Sequence, residues 1–152
     1  MKLNIYGLGY VGGVTGICLS SLGHEVTGID VVSRKVEALK QGRLSIFEPG
    51  LDELFHKVLK GQCSGGSFKA TTQSDENDDA DASIICVGTP SLVNGGVDLQ
   101  YIQQTAAAIG RSLRKHPKPH HVIFRSTVPP GTTEDVLIPI LETESGKKAG
   151  KD

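Results

Sequence analysis

The sequence predicts an α/β fold, a parallel, doubly wound sheet with helices on both sides. Three observations point there. Short apolar runs alternate with helical periodicities along most of the chain, joined by short loops rich in glycine and proline. One run, Ala82-Ser83-Ile84-Ile85-Cys86-Val87, is continuously apolar, as strands buried on both faces of a parallel sheet are. The opening residues read strand, glycine turn, helix, strand, acid.

Lys2-Leu3-Asn4-Ile5-Tyr6 is short and apolar enough for a buried first strand. Gly7-Leu8-Gly9-Tyr10-Val11-Gly12 follows, then a helix whose apolar face is expected to hold Val14, Ile17, Cys18 and Leu22. Glu25-Val26-Thr27-Gly28-Ile29 makes the second strand, and Asp30 ends it eighteen residues beyond Gly12. That order and spacing fit a dinucleotide-binding turn. Gly7 permits the tight turn, Gly9 lets a pyrophosphate approach the backbone, and Gly12 lets the helix lie close to the sheet. The free N–H groups of Tyr10, Val11 and Gly12, with the positive end of the helix dipole, favour an anion there. Gly12, Gly13 and Gly16 share this helix. Each interior glycine costs about 0.8–1.0 kcal/mol relative to alanine, so close approach is expected to matter.

Ser33 is placed to cap a second helix through Val36, Leu39 and Lys40, stopped by Gly42. After a loop from Arg43 to Glu48, Pro49-Gly50 opens a third with Leu51, Leu54, Phe55, Val58 and Leu59 at helical spacing. Phe68-Lys69-Ala70-Thr71-Thr72 reads as the third strand, and the acidic stretch Asp75, Glu76, Asp78, Asp79, Asp81 as a solvated helix face or turn. Gly88-Thr89-Pro90 breaks the fourth strand, Asn94-Gly95-Gly96 turns, and Asp98 caps a long helix through Tyr101, Ile102, Ala106, Ile109 and Leu113. His121 to Ser126 is the fifth strand, and Thr132 or Thr133 caps a last helix reaching Glu142. The strand order is expected to be 3-2-1-4-5, a Rossmann-like sheet whose sixth strand is missing or lies beyond Asp152.

Bulk properties narrow the function. The chain has 152 residues, 38% of them hydrophobic, which suits one domain and one core. A net charge of −1 gives no basis for a nucleic-acid or anionic-membrane partner. No apolar run is long enough to span a bilayer, and no signal peptide precedes the first strand. Cys18, Cys63 and Cys86 share no CxxC spacing and cannot all pair internally, which fits the cytoplasm. His120 and His121 have no nearby acid or cysteine pattern and read as surface residues; no metal site is indicated.

Four blocks carry a resemblance. Gly7-Leu8-Gly9-Tyr10-Val11-Gly12, Glu48-Pro49-Gly50-Leu51, Cys86-Val87-Gly88-Thr89-Pro90 and Arg125-Ser126-Thr127-Val128-Pro129-Pro130-Gly131-Thr132 resemble, in order, blocks of the nucleotide-sugar 6-dehydrogenases. These are the UDP-glucose and GDP-mannose dehydrogenases. The stretch Ser145-Gly146-Lys147-Lys148-Ala149-Gly150 is more similar to the GDP-mannose branch. The resemblance implies NAD as cofactor and a four-electron oxidation of a C6 alcohol through an aldehyde and a cysteine thioester to a uronic acid. It also implies a linking helix that builds a homo-oligomer and a downstream domain that takes the nucleotide sugar. Residues 1–142 are then expected to form the NAD-binding domain and 143–152 a polar tail. The family's Asn-Pro-Glu-Phe-Leu stretch and Gly-Gly-Ser-Cys nucleophile segment are absent, so no residue inherits a catalytic role.

On matching positions, the resemblance places the cofactor against Gly7, Gly9, Tyr10, Val11 and Gly12. Asp30 would hold the adenosine ribose hydroxyls, with Lys35 near that ribose or the phosphates. Val87, Gly88, Thr89 and Thr127 would line the crevice at the carboxyl ends of strands four and five, and Thr127 would help hold the catalytic water. Cys86 reads as buried and inert. Three other readings stay open at this point. They are another NAD-dependent dehydrogenase, a stand-alone NAD-sensing module, and a methyltransferase-like domain, the last disfavoured by the full glycine turn.

Overall fold

A computed structural model describes residues 1–74 and 79–151. Strands β1 (Lys2–Tyr6), β2 (Glu25–Ile29), β3 (Ser67–Thr71), β4 (Ala82–Ile85) and β5 (His121–Phe124) form a sheet in the order β3-β2-β1-β4-β5. Every pairing is parallel, with Leu3 opposite both Val26 and Ala82, and Ala82 opposite His121. The expected order holds. Chain direction across the sheet reverses between β1 and β4, and ligands of such sheets bind outside the carboxyl ends at that point.

Strand alternation divides the core between two faces. Leu3, Ile5, Val26, Ala82 and Ile84 pack with α1 (Tyr10–Ser21), α2 (Ser33–Lys40) and α3 (Leu51–Leu59). Tyr6, Ile29 and Ile85 pack with α4 (Gln100–Leu113) and with α5 (Ile138–Ser145), which follows a π-helical turn over Thr133–Leu137. β5 is an edge strand. Val122 and Phe124 join the α4–α5 side, whereas register puts His121 and Ile123 on the α1 side. There both are exposed, Ile123 by 47%.

Several elements depart from their sequence signals. The buried face of α1 is Gly12, Gly13, Gly16, Ile17 and Ser20; Leu22 is 69% exposed, and Val14 and Cys18 are half-buried. Small side chains let the helix turn its glycine face inward, against Ile46 and Phe68, together with Ile17, while Val14 packs at the margin of that core and Leu22 turns away. Ser33 does not cap α2: Val32 precedes the helix and no side chain bonds its first amides. Neither Thr132 nor Thr133 caps the last helix. Its opening turn widens instead just before Pro139, which has no N–H to donate. α5 ends at Ser145, three residues past Glu142, closed by left-handed Gly146. Asp98 does accept the Gln100 N–H, at 2.9 Å. β4 and β5 stop at Ile85 and Phe124, short of Val87 and Ser126. Of the acidic stretch, Asp75, Glu76 and Asp78 lie outside the described residues. Asp79 pairs with the Lys2 ammonium and Asp81 accepts the Lys2 N–H at 2.8 Å. No described helix is long and apolar enough to cross a membrane.

His120 is not a surface residue. Its Nδ1 donates to the Ala80 carbonyl at 2.8 Å, leaving Nε2 to accept from buried Ser83 Oγ at 2.9 Å. Burial pushes its pKa below the ordinary 6.5, with His116 and His121 adding to the effect and the Ala80 carbonyl and Asp81 opposing it. The unfolded chain therefore takes up this proton first as pH falls, and stability is lost below about pH 6.5. Urea melts at about pH 7 and pH 5.5 should show that loss, and His120→Gln should flatten the difference. An unchanged slope in the variant would remove His120 as its cause.

Candidate functional site

The turn after β1 is shaped by what its glycines leave out. Gly7 has φ +90°, and its N–H bonds the Ile29 carbonyl at 2.8 Å, tying β1 to β2 at their carboxyl ends. Gly12 lies so close that a Cβ would stand 1.9 Å from the Gly7 carbonyl oxygen and 3.2 Å from Cys86 Cβ. At Gly9 a Cβ would meet nothing within 4 Å. The outer wall of the turn is open backbone. The first helical hydrogen bond of α1 runs from the Gly13 N–H to the Gly9 carbonyl, at 2.8 Å. The amides of Tyr10, Val11 and Gly12 precede it and have no partner within the helix, the arrangement that receives an anion.

Asp30 stands at the end of β2, 7% exposed. Its Oδ2 accepts the Leu8 N–H at 2.8 Å and the Lys35 ammonium at 3.2 Å, and its Oδ1 accepts the Val32 N–H at 2.9 Å. The acid thus braces the glycine turn. A carboxylate offers about four acceptor positions, so these three donors leave room on Oδ1 for a further hydroxyl. Lys35 is half-buried and committed to Asp30.

Across the sheet, the carboxyl ends of β4 and β5 are cross-linked by hydroxyls. Thr89 Oγ1 donates to the Thr127 carbonyl at 2.7 Å, and Ser126 Oγ to the Val87 carbonyl at 2.7 Å. Gly88, between them, is exposed with open space where a Cβ would stand. The two groups of predicted residues, 7–12 with 30 and 35, and 87–89 with 127, therefore flank the β1–β4 boundary at one edge of the sheet. Cys86 sits just below, where burial pushes its thiol pKa up while Arg125 pulls against it.

Three contributors carried no role in the sequence reading. Ser126 braces Val87. Tyr10, through its hydroxyl rather than its backbone, bonds the Phe47 carbonyl and pins the loop before α3 to the first turn of α1. The Arg125 guanidinium donates to Thr15 on α1. Ser126 and Arg125 belong to the block Arg125-Ser126-Thr127, which was the available signal; nothing local marks the Tyr10 contact. Among the described residues, no cluster of His, Cys, Asp and Glu is suited to a metal ion.

A sequence model described as "UDP-glucose/GDP-mannose dehydrogenase family, NAD binding domain" matches residues 1–152. GDP-mannose 6-dehydrogenase of Pseudomonas syringae pv. syringae is 48% identical over 153 residues, taking in all of this chain and 34% of that protein. UDP-glucose 6-dehydrogenase AglM of Haloferax volcanii is 39% identical over 150 residues, 99% of this chain and 34% of its own length. Among solved structures, a ternary complex of GDP-mannose dehydrogenase from Pseudomonas aeruginosa matches with a TM-score of 0.93 at 46% identity, covering all of this chain and 34% of that one. UDP-glucose dehydrogenase from Pyrobaculum islandicum matches at 0.87 and 38%, over 97% of this chain and 33% of that one. The chain thus spans about a third of the length of these relatives.

Proposed function

The chain belongs to the UDP-glucose/GDP-mannose dehydrogenase family, as its NAD binding domain, and from that premise we propose how NAD is held. Gly7, Gly9, Tyr10, Val11 and Gly12 receive the pyrophosphate on open backbone, and Asp30 accepts an adenosine ribose hydroxyl. Lys35 holds the Asp30 carboxylate in orientation. Val87, Gly88, Thr89 and Thr127 line the nicotinamide end. Bound there, NAD supplies a hydride acceptor; the protein's part is to fix the ring over the β4–β5 edge. One observation carries this reading. The acid that meets the ribose is bonded to the turn that meets the phosphates, through the Leu8 N–H, so the two halves of the site are built as one.

With a downstream polypeptide, the whole protein oxidises the C6 alcohol of a nucleotide sugar to the acid and assembles as a homo-oligomer. GDP-mannose is favoured as the substrate, because the GDP-mannose enzymes stand at 46–48% identity and the UDP-glucose enzymes at 38–39%. The free thiols of Cys18, Cys63 and Cys86 support a reducing, cytoplasmic setting.

Titration calorimetry with NAD and NADP tests the assignment. A 2′-phosphate would bring negative charge beside Asp30. Two unit charges about 4 Å apart repel by roughly 4 kcal/mol at an effective dielectric near 20. The Lys35 ammonium, already 3.2 Å from the carboxylate, offsets part of that. NAD should bind at least about tenfold more tightly, ~1.4 kcal/mol, and Asp30→Ala should weaken NAD and narrow the gap. Equal affinities in the unmodified protein would refute the role of Asp30.

A further inference from the structure

We propose that Arg125 is a positioning residue for cofactor binding: acting through Thr15 and the Val11 carbonyl, it aims the Gly12 N–H at the pyrophosphate. This rests on the reading that the glycine turn holds the pyrophosphate of NAD. The need for such a residue is visible in α1. Tyr10–Ser21 contains no charged residue, and no side chain caps its first amides. Lys35, on the Asp30 side of the turn, is already engaged by that carboxylate at 3.2 Å. Arg125 is placed differently. It follows β5, is exposed, and has no carboxylate partner among the described residues.

Its guanidinium donates to Thr15 Oγ1. That hydroxyl donates in turn to the Val11 carbonyl, at 2.6 Å. The Val11 carbonyl and the Gly12 N–H belong to one planar trans peptide and point in opposite directions. Whatever holds the carbonyl therefore aims the N–H. Hydrogen bonds in a chain polarise one another, so a cation at one end makes the N–H at the other a better donor to an anion.

Two further observations favour this role. Threonine bonded to the carbonyl four residues back slightly destabilises a helix, so Thr15 does not serve α1 by itself. The charge of Arg125 is also felt beneath the turn. Burial raises the Cys86 thiol pKa and Arg125 pulls it back, and Cys86 Cβ lies 3.2 Å from where a Gly12 methyl would stand. Arg125 opens the run Arg125-Ser126-Thr127, whose other members bond the end of β4. Ser126 Oγ donates to the Val87 carbonyl, and the Thr127 carbonyl accepts from Thr89. One run of three residues thus touches the turn proposed for the phosphates and the edge proposed for the nicotinamide.

Titration calorimetry with NAD, beside thermal melts of the same preparations, tests this. Arg125→Met and Thr15→Val should each weaken NAD about tenfold, the worth of one hydrogen bond to a charged group, with the melting midpoint held. The double variant should lose no more than either single one, because the two residues act in series. Arg125→Lys keeps a charged donor of similar reach and should recover most of the loss. Ordinary affinity in Thr15→Val, losses that multiply in the double variant, or no recovery with lysine would each overturn the relay. If Arg125→Met does not fold, Thr15→Val carries the test, since it removes one hydroxyl and keeps the side-chain shape. The unmodified protein separates the two ideas. If it binds NAD no better than the variants do, the relay is removed and the function stands. If it binds no NAD at all, the reading of the glycine turn falls, and the relay with it.

Discussion

Gly12→Ala is expected to destabilise the fold and to weaken NAD binding by at least about a hundredfold. The added methyl would lie 1.9 Å from the Gly7 carbonyl oxygen, whereas carbon contacts settle at about 3.5–4.0 Å. Backbone cannot swing aside as a side chain does, so α1 must move off the turn by more than an ångström. Overpacking of this kind costs about 1–3 kcal/mol, occasionally more, and the same shift spoils the three amides proposed to receive the pyrophosphate. Gly9→Ala is the informative partner. Gly9 has φ −81° and ψ −160°, which alanine adopts freely, and its methyl would meet nothing in the protein. That variant should keep its melting temperature and still lose NAD. Chemical melts and calorimetry on both variants decide the matter. If Gly9→Ala binds NAD normally, the pyrophosphate does not cross the turn where proposed.

Residues 1–152 alone should produce no NADH with NAD and GDP-mannose or UDP-glucose. The oxidation to an acid through a thioester needs a thiolate beside the nicotinamide and a group that positions the sugar. Correct positioning alone is worth roughly 7–11 kcal/mol. None of the three thiols meets the need. Cys86 lies beneath the glycine turn with its pKa raised by burial. Cys18 is half-buried in the last turn of α1, at the far end of the helix from the glycine turn. Cys63 follows α3 in the loop that leads into β3, at the amino edge of the sheet and away from the proposed crevice. Lys57 does stand within electrostatic reach of Cys63, a basic neighbour that the sequence alone did not reveal, but it is paired with Glu53 at 2.7 Å. Activity lost on alkylating Cys63 or Cys86 in this fragment would show that the chemistry lies within it.

The order of elements was legible because each carries its own period. β1, β2 and β4 are short apolar runs, and the glycine turn with Asp30 marks the first crossover by chemistry that only a tight backbone requires. The fine geometry was not legible, for reasons specific to each residue. Of the expected inner face, Ile17 is buried and Val14 packs beside it, but Cys18 and Leu22 turn outward, because apolar spacing says which residues share a side, not how far the sheet reaches round it; the glycines decided that. His120 looked exposed because its partners, Ala80 and Ser83, are roughly forty residues away. Thr89 and Thr127 could each be assigned to a strand end. That one hydroxyl meets the other's carbonyl depends on the β4–β5 register, which no local pattern encodes.

The unpaired side of β5 bears on how such a protein is made. Its backbone N–H and C=O groups along that margin are ready to template another strand, and Ile123 beside them adds an apolar surface. A ribosome extends the chain by roughly 5–20 residues per second. As the proposed first third of a longer dehydrogenase, the chain would emerge with a sticky margin that stays open on the order of seconds to tens of seconds, until later segments arrive. During that interval two nascent chains on neighbouring ribosomes can pair edge to edge. By the same property, recombinant residues 1–152 are expected to aggregate as concentration rises, and light scattering over a dilution series checks it.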